Sequence, residues 1–189
     1  MRNKPAKYGI KVFWCCDSNI SYPLKGEVYV GRQSGTATLA NKNGVKKLVK
    51  RLVTPWINKG RSVTADNYFT RAELAEDLLG VQTALAGKIR KNKPEIPREL
   101  QPNRQRPENS SIFCFDGLLT LVSYVPKKYK AVILLSSMHH ETIVSEETHK
   151  KPEIILYYNE TKGGVDRMDQ MAQTYSCKRK INRWLMFYG

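Results

Sequence analysis

Asp17, Asp66, Asp166 and Asp169 are the residues whose type and placing could do chemistry in this chain. Asp17 and Asp66 each follow an apolar run, in Trp14-Cys15-Cys16-Asp17-Ser18 and Val63-Thr64-Ala65-Asp66-Asn67, where a strand is expected to end. Asp166 lies in Gly163-Gly164-Val165-Asp166-Arg167-Met168-Asp169, where a helix is expected to open. Asp169, three residues on, shares its face. The two glycines before it permit close approach of another backbone. Carboxylate oxygens are the ligands hard divalent cations take. Two such ions about 3.5–4 Å apart can activate the attacking oxygen of a phosphodiester exchange and stabilise the leaving one. The expected chemistry is metal-dependent strand cleavage on a polyanion. Taken singly, each aspartate also has a plain reading: Asp17 and Asp66 as turn residues, Asp166 as an acid favoured at a helix start.

The background charge suits that substrate. Lys and Arg total 32 against 17 acids in 189 residues, a net charge of +15. Such a balance favours a polyanionic partner, nucleic acid or an anionic membrane surface. A membrane partner is not expected, because the longest apolar runs (12–16 and 131–135) fall far short of the ~20 residues a spanning helix needs. No secretion signal is apparent. Cys15, Cys16, Cys114 and Cys177 form no C-x-x-C pair, so a zinc site is not expected, and their scatter fits a reducing compartment. Candidate DNA-binding residues are Arg90, Lys91, Lys93, Arg104 and Arg106, in a proline-broken stretch, and Lys178, Arg179, Lys180, Arg183 and Trp184 near the end. Trp184 reads either as a core anchor or as a stacking platform for a nucleobase. Asp116 is assigned to a hairpin turn and Asp77 to a solvated helix face. His139, His140 and His149 are assigned to polar loop, and Cys15 and Cys16 to core packing.

The elements that must position these acids follow from periodicity. Residues 8–16 read as a buried central strand, apolar on both faces apart from Lys11. A partner strand is expected over 26–30 and loop over 31–43. Val45, Leu48, Val49, Leu52 and Val53 make one helical stripe with lysines opposite. A short strand over 61–65 leads to Asp66. Thr70 and Glu73 have capping-box spacing for a helix ending at Gly80. A strand over 81–89 completes an alternating α/β pattern. Residues 91–151 break it with Pro94, Pro97, Pro102 and Pro107, then a hairpin signal around Asp116-Gly117 and a further strand over 131–136. This block is read as a β-rich insertion. A strand over 153–159, a loop over 160–164 and a helix over 165–175 follow. The division is thus a core over 1–90, an insertion over 91–151 and the last part of the core over 152–189.

Together these segments resemble the catalytic core of piggyBac-type transposases. The first motif is Lys7-Tyr8-Gly9-Ile10-Lys11 leading to Cys16-Asp17-Ser18, and the second is Thr64-Ala65-Asp66-Asn67-Tyr68-Phe69-Thr70. The third is Tyr157-Tyr158-Asn159-Glu160-Thr161-Lys162-Gly163-Gly164-Val165-Asp166-Arg167-Met168-Asp169-Gln170. Ile96-Pro97, Phe113-Cys114-Phe115-Asp116-Gly117, Leu134-Leu135-Ser136-Ser137 and Arg179-Lys180-Ile181-Asn182-Arg183-Trp184 extend the likeness. The resemblance implies an RNase H-like mixed sheet with flanking helices, interrupted by the insertion. It implies that Asp17, Asp66 and Asp166 hold two magnesium or manganese ions, with Asp169 a further active-site acid. It implies excision of DNA at terminal inverted repeats, joining at TTAA targets, a homodimer in the full-length protein, and a nuclear location. Relatives also carry an N-terminal DNA-binding and dimerisation region and a cysteine-rich zinc-binding end, which lie outside this sequence; weak or no transposition is expected of this chain by itself. Relatives commonly have proline after the tryptophan, where this chain reads Trp184-Leu185. The competing readings are a domesticated DNA-binding remnant without catalysis and a truncated product without a biochemical role.

Overall fold

Two sheets and four helices make up the computed structural model, which describes residues 10–29 and 42–175. β1 (Lys11–Cys16) and β2 (Pro23–Tyr29) form an antiparallel ribbon of their own. α1 (Lys42–Val53) packs Leu48 and Leu52 onto Phe13 of β1. β3 (Arg61–Ala65), α2 (Ala72–Leu79) and β4 (Thr83–Lys88) then form a strand–helix–strand unit with parallel strands, the pairing a helical crossover permits. β5 (Ser111–Asp116), β6 (Leu119–Lys127) and β7 (Lys130–Ser136) form an antiparallel meander. β7 pairs with β4, giving one five-stranded mixed sheet in the order β3-β4-β7-β6-β5. The chain closes its described part with α3 (Glu153–Thr161) and α4 (Gly164–Thr174).

Period-2 alternation decides which helix each strand residue meets. Leu134 and Leu135 are neighbours on β7, yet Leu134 joins Ile154, Ile155 and Tyr158 of α3, whereas Leu135 joins Leu74, Ala75 and Leu78 of α2. The sheet is therefore covered on both faces. Beyond α2, Ile96 and Leu100 of the proline-broken stretch cover Ile89 and Ile133. Three of the five strands come from the segment read above as an insertion, and β4 carries the hydrogen bonding across.

Four expectations are corrected. Residues 153–159 are helix, not strand: Ile154, Ile155 and Tyr158 recur at helical spacing, all are buried on the sheet, and Pro152 precedes the first turn. Their β-branched and aromatic side chains give strand propensity, and packing overrides it. β1 is no central strand. Among the described residues it pairs only with β2, and Phe13 is its one buried residue, so its apolar outer face is half open. The capping box does not form. Arg71 is the N-cap of α2, and the Thr70 hydroxyl instead donates backward to the carbonyls of Asp66 (2.7 Å) and Ala65 (3.2 Å). His139 is buried rather than in polar loop, with Nδ1 2.7 Å from Ser136 Oγ. Asp116 does end the strand before a tight turn, with Gly117 at φ +55°. Asp77 is tied down, lying 2.6 Å from both Lys46 Nζ and Lys50 Nζ of α1. No described helix is long and apolar enough to cross a membrane.

Candidate metal and nucleic-acid site

Asp17 and Asp66 are mounted in the same way on different sheets. Each ends its strand and turns Oδ1 back onto the chain. Asp17 Oδ1 accepts from the amides of Asn19 (2.8 Å) and Ile20 (3.0 Å). Asp66 Oδ1 accepts from Tyr68 (2.8 Å) and, more weakly, Phe69 (3.4 Å). Such turns suit aspartate because its short side chain reaches its own backbone two residues on. They also fix the carboxylate plane and leave Oδ2 without a hydrogen bond among the described residues. Those amides, with Arg61 nearby, hold the Asp17 carboxyl below the usual aspartate range.

The Asp66 turn lies against β4. A Cβ on Gly87 would stand 2.1 Å from Thr70 Oγ1 and 2.7 Å from the Ala65 carbonyl, so only glycine lets it pack there. Buried Thr70 ties the turn from inside, and Lys93 Nζ donates to its carbonyl at 2.8 Å. Sequence reasoning missed Gly87 and gave Thr70 another task. A lone glycine inside a strand pattern was the available signal.

α3 and α4 bring the third acid across. Tyr157 OH lies 2.6 Å from Ser62 Oγ, and Thr161 Oγ1 lies 2.7 Å from Thr64 Oγ1, tying α3 to β3. The Thr161 hydroxyl donates to the Tyr157 carbonyl, so Thr64 is the donor in the second pair. After the short turn at Lys162-Gly163, α4 begins with Gly164 pressed onto the end of β1. A Cβ there would stand 3.0 Å from the Asp17 carbonyl oxygen. Asp166 is exposed in the first turn, and Asp169 is close enough to help raise the Cys16 thiol pKa, after burial. Tyr158, buried on α3, feels both remaining acids: burial chiefly, then Asp66 and Asp166, pushes its phenol pKa up.

Asp17 and Asp166 thus come from elements that meet at Gly164, and Asp66 follows the strand to which α3 is tied through Tyr157 and Thr161. The chemistry of the three acids fits a hard divalent cation, since all the donors are carboxylate oxygen. Among the described residues, however, no three His, Cys, Asp or Glu side chains stand close enough to form a ready-made metal cluster.

The expected DNA contacts divide. Arg90, Lys91 and Arg104 are exposed; Arg90 lies 5.9 Å from the Tyr68 ring and Arg104 5.9 Å from the Tyr129 ring. Arg106 spends its guanidinium inside, donating to Ser123 Oγ (2.7 Å) and to the Ser123 carbonyl (2.8 Å). Lys93 is engaged with Thr70 as above. Lys178, Arg179, Lys180, Arg183 and Trp184 lie outside the described residues.

A family model described as Transposase IS4 matches residues 1–188. Among solved structures, the chain is similar to a piggyBac transposase in a synaptic complex with hairpin DNA, with 45% identity and a TM-score of 0.87. That match covers 98% of this chain and 38% of the other. It is 23% identical over 198 residues to human PiggyBac transposable element-derived protein 3, covering 97% of this chain and 33% of that protein. The human Chimeric ERCC6-PGBD3 protein matches at the same identity over 97% of this chain and 19% of its own length. The chain therefore spans about a third of the length of the first of these curated relatives.

Proposed function

Because the chain belongs to the piggyBac type of this transposase family, we propose that it carries the metal-binding core of a DNA strand-cleaving and strand-joining enzyme. The observation that carries this reading is the convergence of the elements that bear the carboxylates: Gly164 at the start of α4 rests against Asp17, and α3, which leads into α4, is hydrogen-bonded to β3, the strand that Asp66 follows. In this reading the mixed sheet is the RNase H-like core, and residues 91–151 include the insertion of the family.

Asp17, Asp66 and Asp166 hold the metal, and Asp169 is a further acid on the same face of α4. When bound, two magnesium or manganese ions activate the attacking oxygen and stabilise the leaving one. The chain's own residues orient. The turn amides fix the carboxylates of Asp17 and Asp66 through Oδ1 and leave each Oδ2 open to a ligand. Exposed Arg90, Lys91 and Arg104 hold phosphates, so DNA affinity falls steeply with salt. Transposon ends and TTAA targets are the substrates, the complete protein works as a homodimer, and the nucleus is its site of action.

The test is cleavage of hairpin and transposon-end DNA with magnesium or manganese, comparing the chain with Asp66→Ala. Loss of at least about a hundredfold in rate is expected, as for removal of a group that acts with its partners as a unit. Equal cleavage by both would sink the assignment. DNA binding with no metal-dependent cleavage by either protein would favour a domesticated, non-catalytic remnant.

A further inference from the structure

Arg167 makes a contact that none of the assigned roles uses. It follows Asp166 directly, and Asp169 is two residues further on. Its guanidinium makes no ion pair with either acid, nor with Asp17, among the described residues. Instead Nη2 donates to the backbone carbonyl of Ser18, the residue after Asp17. One helical turn earlier, on the same face of α4, Gly164 rests against the Asp17 carbonyl. The Asp17–Ser18 backbone is thus gripped at two successive carbonyls by one face of α4. An arginine close in sequence to Asp166 and Asp169 would gain by pairing with a carboxylate. Here its donor goes to a neutral carbonyl instead.

We infer that Arg167 is a positioning residue: it locks the first turn of α4 onto the Asp17–Ser18 peptide and so sets how far Asp166 stands from Asp17. The inference rests on the metal-core reading for its purpose, though not for the contact itself. Without the lock, α4 is held to β1 chiefly by the shape of Gly164. The two carboxylates then close on a cation at a greater ordering cost. Partners that orient metal ligands typically contribute 10–100-fold to metal affinity.

The experiment titrates the whole chain with manganese, following the free-ion electron paramagnetic resonance signal. In parallel it records hydrogen exchange at the Asn19 and Ile20 amides, which bond to Asp17 Oδ1. Arg167→Ala is expected to weaken manganese binding about tenfold and to speed exchange at those amides. Exchange in β4, β6 and β7 should not change. Arg167→Lys, which can still donate to a carbonyl, should restore most of both. Gly164→Ala, which adds a methyl 3.0 Å from the Asp17 oxygen, should weaken binding by a separate route. Tighter manganese binding in Arg167→Ala would overturn the proposal, since the arginine would then act only as a competing charge. Unchanged exchange at Asn19 and Ile20 would overturn it as well. If manganese binding does not depend on Asp17 and Asp166, judged by Asp17→Asn and Asp166→Asn, the metal reading fails. The exchange data then decide the lock alone: faster exchange in Arg167→Ala supports it.

Discussion

The two sheets differ in how firmly they hold their aspartates. β4, β6 and β7 are buried over most of their length, with helices on both faces. The β1–β2 ribbon buries only Phe13, while Trp14, Leu24 and Val28 are 38%, 38% and 53% exposed. Asp66 follows β3, an edge strand that buries only Ala65 but pairs along its length with well-packed β4, and Asp17 follows the ribbon. The ribbon is tied to α1 by Phe13, by the Arg51–Glu27 ion pair and by Lys25 Nζ donating to the Arg51 carbonyl. Regions with few buried contacts open at lower free-energy cost than the core they adjoin. The lesson is that the distance from Asp17 to Asp66 is the adjustable one, and α4 is placed where it can limit that adjustment.

Four changes test this contrast. Gly87→Ala should have the largest effect, about 3 kcal/mol of lost stability, because the new methyl meets backbone at 2.7 Å. Chemical denaturation measures it, and Thr70→Ser should recover little of the loss, because the hydroxyl 2.1 Å from the added Cβ stays. Arg106→Ala should follow, at about 2 kcal/mol, since charged hydrogen bonds to Ser123 are lost. The salt dependence of DNA binding should stay unchanged, whereas Arg90→Ala or Arg104→Ala should each lower that slope by about 1. The reverse pattern would place Arg106 on the DNA. Phe13→Leu should cost about 1 kcal/mol and act on the ribbon alone. Its signature is faster hydrogen exchange in β1 and β2 with β6 and β7 untouched; uniform acceleration would mean the ribbon opens only with the whole fold.

The smallest effect belongs to His139, under the sheet. Burial holds its imidazole pKa below the usual value, outweighing Glu153. The unfolded chain therefore takes up the proton more readily. Stability is intact above about pH 6.5, the unperturbed histidine value, and falls as acid passes below it. Thermal melts between pH 7.5 and 5.5 should show the decline, and His139→Asn should flatten it. An identical slope in both proteins would assign the pH dependence to another group.

Much of the site could be read before folding was considered, because its chemistry is local. An aspartate after an apolar run, followed by small or polar residues, ends a strand in a turn, and both Asp17 and Asp66 do so. The stripe from Val45 to Val53 and the turn at Gly117 likewise depend on neighbours a few residues away. The misread pieces are those in which distant contacts decide. Ile154, Ile155 and Tyr158 are strand formers by propensity and become helix because they meet Val122 and Leu134 on the sheet. Thr70 has the spacing of a cap, yet its hydroxyl is taken by the turn that Gly87 admits. Arg106 looks like any basic surface residue until Ser123 lies beneath it.

The amino-acid order alone determined which acids could act, the basic background that draws a polyanion, and the family to which the chain belongs. These are properties of residue type and of short spacing, and they hold in any conformation of the chain. Tertiary structure alone decided that Gly164 and Arg167 clasp the turn after Asp17, that α3 is tied to β3 through Tyr157 and Thr161, and which arginines face solvent. The partners in these contacts are far apart in the chain, and only close packing of the folded elements brings them into reach.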